Sequence, residues 1–272
     1  MSMKHAAIAY DFDGTLVPGY MQNHSFFPAL NVSNPFKEFW PRVKEIAQNN
    51  DMDEILAYMH LMLKDADYKG ISIRREKFVE HGKGMRFFNG VEEWFDRINA
   101  YAIQSGIQLK HYIISSGLRE MIEGTSIADK FSAIFASGYM YNQDNIAIWP
   151  ALAVNYTNKT QYIFRINKGI ENSWDNKSLN KYMPGDRPIP QENIIYLGDG
   201  ETDVPAMKMV NYLNGHSIAV YEPNKEDAKK ICDDLITQGR AKFSCPADYS
   251  ENSLLDQTIK SIIDKIANDK DS

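Results

Sequence analysis

Two short acidic segments carry the chemistry this sequence could perform. Asp11 and Asp13 stand in Ala9-Tyr10-Asp11-Phe12-Asp13-Gly14-Thr15-Leu16, and Asp199 and Asp203 stand in Gly198-Asp199-Gly200-Glu201-Thr202-Asp203. Each follows an apolar run, residues 5–10 and 193–197, that reads as a buried strand opening onto a turn. A third apolar run, 109–114, ends in Ser115-Ser116-Gly117. Ligands of open parallel sheets bind beyond the carboxyl ends of the strands, so all three runs would deliver polar residues to one crevice. Four carboxylates gathered there resist ionising together unless a cation sits among them. Oxygen-only donors suit a hard ion, and magnesium is the natural choice for phosphate chemistry. Asp-x-Asp-Gly alone has a plainer reading, because Asp and Gly favour turns whatever their function. A second acidic motif after a second strand turns the balance toward catalysis.

In type and order these residues resemble the haloacid-dehalogenase-like hydrolases. Asp11-Phe12-Asp13-Gly14-Thr15-Leu16 is similar to the family's signature loop, Ser115 to its second motif, Lys159 at a helix start to its third, and Gly198 through Asp203 to its acidic fourth. The resemblance implies that Asp11 is a nucleophile forming an aspartyl-phosphate and that Asp13 is the acid and base. It also implies that Ser115 and Lys159 hold the phosphoryl group. Asp11, Asp13, through its backbone carbonyl, and Asp199 would take up magnesium, and Asp203 would bind the ion or hold the metal shell or Lys159 in place. Ser116 and Gly117, continuing the second motif, are candidate substrate contacts. Lys168 competes with Lys159, but it precedes Gly169 and reads more simply as a cation at a helix C-terminus, whereas Thr157 and Asn158 could cap a helix beginning at Lys159. An aspartate two positions after the nucleophile points, within the family, to phosphatases or phosphomutases. The expected reaction is hydrolysis of a small phosphorylated metabolite; a phosphotransferase and a non-catalytic phosphate-binding protein are the rivals. The early helical insertion resembles the phosphoserine-phosphatase-like branch. Ser116 stands where that branch commonly has a second glycine, so phosphoserine is not carried over as the substrate.

The elements that must position these residues alternate between strand and helix, which predicts an α/β, Rossmann-like, mainly parallel sheet with helices on both faces. Residues 1–17 and 89–272 would form this core. Residues 18–88 show only helical signals and would form a small helical cap. One stripe there joins Phe36, Phe39, Trp40, Val43, Ile46 and Ala47; another joins Met52, Ile55, Leu56, Met59 and Met62. Both read as packing of the cap's own interior. The loop before them, close behind the signature, offers Gln22, Asn23 and His24 as candidate substrate contacts.

Bulk composition narrows the remaining classes. The chain of 272 residues is 43% hydrophobic, with a net charge of -6 and no basic tract, which argues against nucleic acid as a partner. Mean hydropathy is -0.44, and no apolar run is long enough to span a membrane. The first residues lack a small-residue cleavage site, and Cys232 and Cys245 have no metal-ligand spacing, so a cytoplasmic protein with structural thiols is expected. The six histidines are scattered without metal-ligand pairs. The tail at 268–272 is expected to be solvated and frayed.

Overall fold

The computed structural model describes residues 3–181, 187–223, 225 and 227–269; the end of the tail, 270–272, lies outside the described residues. Its strands are β1 (Lys4–Tyr10), β2 (Ile107–Leu118), β3 (Ala133–Tyr141), β4 (Ala147–Leu152), β5 (Ile194–Gly198), β6 (His216–Tyr221) and β7 (Phe243–Pro246). They form one sheet in the order β4-β3-β2-β1-β5-β6-β7. Every neighbouring pair is parallel except β3 with β4, which forms an antiparallel edge. β1 therefore lies between β2 and β5, with Tyr10 in register with Ile113 on one side and Leu197 on the other. The three polar strand ends that carry the motifs are neighbours for this reason.

Central strands of a parallel sheet are covered on both faces, and β1 shows what that demands. Ala6, Ile8 and Tyr10 enter one core layer with Trp94, Phe95, Ile98, Ile259 and Ile263, while Ala7 and Ala9 enter the other with Tyr162, Ile163, Ile166 and Met207. The first layer is closed by α6 (Val91–Gln104) and α12 (Leu254–Asn268), and the second by α8 (Lys159–Lys168), α10 (Val204–Tyr212) and α11 (Ala228–Thr237). One polar chain crosses the first layer. Trp94 Nε1–H donates to the Tyr10 hydroxyl at 2.8 Å, and His111 Nε2–H donates to Asn99 Oδ1 at 3.0 Å, so Nδ1 of the neutral ring accepts from Tyr10 OH at 3.0 Å. Burial pushes the His111 imidazole down to about 3, consistent with a neutral ring inside that chain.

Between β1 and α6 the chain supplies α1 (Phe26–Ala29), α2 (Pro35–Glu38), α3 (Trp40–Asn50), α4 (Glu54–Tyr68) and α5 (Arg75–Gly82), and no strand of the sheet. The expected single helical stripe from Phe36 to Ala47 is broken in two. Pro41 has no N–H to bond the preceding turn, so the helix ends at Glu38 and restarts at Trp40. The stretch read as loop before residue 35 also folds further than expected, burying Phe26, Phe27 and Leu30. Two short helices, α7 (Arg119–Glu123) and α9 (Asn176–Asn180), complete the chain. α5 rests on α7 through facing glycines: a Cβ at Gly82 would lie 1.9 Å from Met121 O, and one at Gly124 would lie 1.9 Å from Val79 O. Among the described residues no helix is long and apolar enough to cross a membrane.

Candidate active site

Asp11 is the first residue beyond β1, and its N–H donates to Leu197 O at 2.8 Å, so the sheet itself sets where the side chain starts. Its Oδ1 accepts from Phe12 N at 2.8 Å, and its Oδ2 lies 3.1 Å from Lys159 Nζ. Beyond it the chain turns sharply. Gly14 N–H is shared between Val17 O at 2.8 Å and Gly19 O at 3.0 Å, with φ at +72°. Glycine is required there twice over. The left-handed backbone disfavours a Cβ, and a Cβ would sit 2.0 Å from Asp199 Oδ2. The same turn directs Asp13 back over the strand end, where Met21 N–H donates to its Oδ1 at 2.8 Å.

Lys159, the first residue of α8, is the charge that the carboxylates share. Its Nζ lies 2.7 Å from Asp203 Oδ1 and 3.1 Å from Asp11 Oδ2, and the side chain is 1% exposed. Burial alone would lower its pKa, but the Asp11 and Asp203 carboxylates outweigh burial and raise it, so it stays charged. Asp203 is committed to this arrangement. Its Oδ1 also accepts from Tyr196 OH at 2.6 Å, and its Oδ2 accepts from Asp199 N at 3.2 Å. Gly198 makes room for it, since a Cβ there would be 2.4 Å from the Asp203 carboxyl carbon. Lys168 is elsewhere, donating to the carbonyls of Leu179 and Lys181. Asn158 stands at the N-cap of α8, but its side chain does not cap the helix. It accepts from Asn155 N at 2.8 Å and donates to Ala153 O at 2.9 Å, fixing the approach of the preceding turn.

Ser115 Oγ accepts from Gly117 N at 3.1 Å, and among the described residues no acceptor takes its proton. The hydroxyl can therefore donate into the cleft. Tyr58 OH on α4 donates to Ser116 O at 2.6 Å, tying this turn to the helical insertion. Ser116 Oγ is buried and unpartnered. A Cβ at Gly117 would lie 2.0 Å from Met21 Cε, so the turn after Ser115 and the segment after Asp13 are packed against each other.

Carboxylate oxygens of Asp11, Asp199 and Asp203 lie within 4.8 Å of one another. With both Asp203 oxygens taken by donors, Asp11, itself held by Phe12 N–H and Lys159, and Asp199 are the carboxylates of this trio left facing the cleft. Burial, then the Asp203 charge, pushes Asp11 up to about 7 despite Lys159. Asp199 remains exposed to the cleft, but crowding by the surrounding groups, then Asp203 and Asp11, pushes it up to about 8. Asp13 is raised well above the usual carboxylate range by burial and by Asp11. An all-oxygen set that is this reluctant to ionise suits a hard divalent cation, which would remove the repulsion.

The cleft above these groups has a volume of about 800 Å³. Asp11, Asp13, Ser115, Ser116, Gly117, Asn23 and Asp199 line it. His24 does not, which corrects the expectation for that residue. Its ring is half-buried beside the Pro18 backbone, and burial, reinforced by the Arg86 charge, lowers its pKa. Gln22, its neighbour but one, lines the cleft instead. Sequence reasoning also missed Tyr20, Tyr58 and Tyr156, and it assigned Phe36 and Trp40 to the interior of the insertion. Both rings line the cleft, and Phe36 is 66% exposed. The signal lay in that stripe, which is broad enough to serve a core and a cleft wall at once.

Comparison with known proteins agrees with this geometry. The family profile described as haloacid dehalogenase-like hydrolase matches residues 8–208, which run from β1 through the acidic fourth motif. An uncharacterized protein of Borreliella burgdorferi is 30% identical over 277 residues, covering 92% of this chain and 93% of its own. Among solved structures, phosphoserine phosphatase in its apo form superposes with a TM-score of 0.58 at 16% identity, over 94% of this chain and 98% of that one. A HAD family hydrolase of Salmonella enterica serovar Typhi gives the same score of 0.58 at 16% identity, over 96% of this chain and 72% of that one. Such identities speak to the fold, whereas the profile speaks to descent: the chain belongs to the haloacid dehalogenase-like hydrolase family.

Proposed function

We propose that this chain is a magnesium-dependent phosphatase that hydrolyses a small phosphate monoester through an aspartyl-phosphate on Asp11. The observation that carries the reading is the Asp11 carboxylate at the cleft floor, held between Phe12 N–H and Lys159 with Asp13 beside it. Asp11 and Asp199 would hold the ion, which when bound supplies positive charge against the phosphate and the carboxylates. In the first step an Asp11 oxygen bonds phosphorus as the bond to the leaving oxygen breaks, and Asp13 gives that oxygen a proton. Burial beside Asp11 favours the protonated form of Asp13, which that donation requires. In the second step water bonds phosphorus, Asp13 takes its proton, and Asp11 is released as a carboxylate. Lys159 and the Ser115 hydroxyl stabilise the equatorial oxygens in both steps. Asp203 and Tyr196 act through Lys159 by fixing its position.

Residues 18–88 would serve as a cap that excludes bulk water and selects the alcohol. The test is hydrolysis of an aryl phosphate with magnesium, with EDTA, and by Asp11→Asn. Activity that needs magnesium and disappears in the variant supports the reading. Undiminished activity in EDTA or in Asp11→Asn overturns it.

A further inference from the structure

The helical insertion reaches the turn after Ser115 through one side chain. Tyr58, in the second turn of α4, is 3% exposed, and its hydroxyl donates to Ser116 O at 2.6 Å. Burial, then the Asp13 charge, pushes its phenol up, so the oxygen keeps the proton that it donates. The helix that carries it is tied to the core on either side of Tyr58. At the start of α4, Asp53 accepts from Ile55 N at 2.8 Å, and its second oxygen accepts from Asn155 Nδ2 at 2.8 Å. One residue beyond Tyr58, Met59 O accepts from Tyr139 OH, on β3, at 2.8 Å.

The peptide that Tyr58 grips is one that the sheet does not hold. Pairing of β2 with β1 stops at Ile113, and its register with β3 shifts between Ser115 and Leu118. Ser116 and Gly117 fall in that interruption, where an irregular ladder leaves backbone groups to find other partners. Gly117, without a Cβ, adds rotational freedom. The C=O of Ser116 and the N–H of Gly117 belong to one planar peptide and point in opposite directions. The C=O goes to Tyr58, and the N–H goes to Ser115 Oγ at 3.1 Å. That N–H occupies a lone pair of the serine oxygen and leaves its proton for the cleft. A peptide plane that turned on losing the first bond would release the second.

Building on the phosphatase reading, we infer that Tyr58 is a positioning residue for phosphoryl transfer: by holding the Ser116–Gly117 peptide it aims the Ser115 hydroxyl at the phosphoryl oxygens. The insertion thus contributes to the phosphate end of the site as well as to the alcohol end. Tyr58 also lines the cleft, so its rival role is direct contact with the leaving alcohol. A positioning role works through Ser115 and is blind to the alcohol. A contact works without Ser115 and changes with the alcohol.

The test is a double-mutant cycle of Tyr58→Phe with Ser115→Ala, with kcat/KM measured in magnesium for phenyl phosphate and β-glycerophosphate. Tyr58→Phe deletes one oxygen from a packed ring and should lower kcat/KM about five- to tenfold, the worth of one hydrogen bond, by the same factor for both esters. In the Ser115→Ala background the same change should cost less than about twofold, because the hydroxyl it positions is gone. Full activity of Tyr58→Phe, an equal loss with and without Ser115, or losses that differ severalfold between the esters overturns the inference and leaves the phosphatase reading standing. If the wild type hydrolyses neither ester, that reading falls, and calorimetric titration with orthophosphate in magnesium decides the inference instead. Phosphate binding weakened by Tyr58→Phe only where Ser115 is present supports it. Binding equally tight in Tyr58→Phe, or absent from the wild type, overturns it.

Discussion

Lys159→Met isolates the electrostatics of the site in one substitution of nearly equal length. The wild-type ammonium is shared between Asp203 Oδ1 at 2.7 Å and Asp11 Oδ2 at 3.1 Å, and the three side chains are between 0% and 7% exposed. Removing one partner from a buried ion pair costs about 3–5 kcal/mol, because an uncompensated charge stays behind. Tyr196 OH still serves Asp203, so the group most affected is Asp11. Asp11 already titrates near 7 because of burial and then Asp203, and loss of Lys159 raises it further. The sign of the pH dependence follows. A carboxyl whose folded pKa exceeds its unfolded value is best tolerated below the unfolded value, and that stability is lost as pH rises through the folded one. Urea unfolding in EDTA should therefore show the full loss, about 3–5 kcal/mol, near pH 8 and a clearly smaller loss near pH 5. Hydrolysis should fall about 10²–10³-fold as a stabilising charge on the phosphoryl oxygens disappears. A loss under about 1 kcal/mol near pH 8, or one of equal size at both pH values, would refute the reasoning.

Three further outcomes are expected. Gly14→Ala forces a left-handed alanine, costing about 1–2 kcal/mol, and drives its Cβ into Asp199; magnesium titration should show weakened affinity, and unchanged affinity would contradict the account. Magnesium binding itself should tighten between about pH 6 and pH 8.5, by up to about a hundredfold per unit near pH 6, where both carboxyls hold protons, and about tenfold per unit between 7 and 8, because Asp11 and Asp199 are pushed up to about 7 and about 8 and must lose protons to bind; calorimetry across that range measures it, and a flat profile would count against it. Trp94→Phe removes the donor to Tyr10 OH in the chain that ends at His111 and Asn99; a loss of about 1–3 kcal/mol in urea unfolding is expected, and a neutral effect would show that the chain contributes little.

Much of this arrangement was legible in the residues themselves. The apolar runs before Asp11, Ser115 and Asp199 are β1, β2 and β5, and their parallel pairing brings the motifs together. Lys159 could be preferred over Lys168 because polar residues suited to helix starts precede it, although the actual bonds of Asn158 reach backward to Asn155 and Ala153. The division of labour among the carboxylates was legible only as alternatives, with Asp203 either binding the ion or holding Lys159 or the metal shell in place. Asp203 is drawn from the cleft by Lys159, Tyr196 and the Asp199 N–H, and which of these bonds forms depends on the three-dimensional turn rather than on spacing alone. Cleft-facing and core-facing positions of the insertion were also merged, because Phe36 and Trp40 share a stripe with buried Phe39 and Ala47, which Pro41 interrupts.

The Asp-x-Asp-Gly turn is a turn wherever it occurs; Lys159, Asp199 and the paired strands give its first aspartate an environment suited to covalent chemistry. Acid quenching of the magnesium-loaded enzyme during turnover of a radiolabelled phosphate ester, followed by peptide mapping, tests that directly. Label that is released by hydroxylamine, maps to the peptide containing Asp11, and is absent from Asp11→Asn is the expected result. Sustained hydrolysis with the label on another residue, or with none on the protein under single-turnover conditions, would contradict the account.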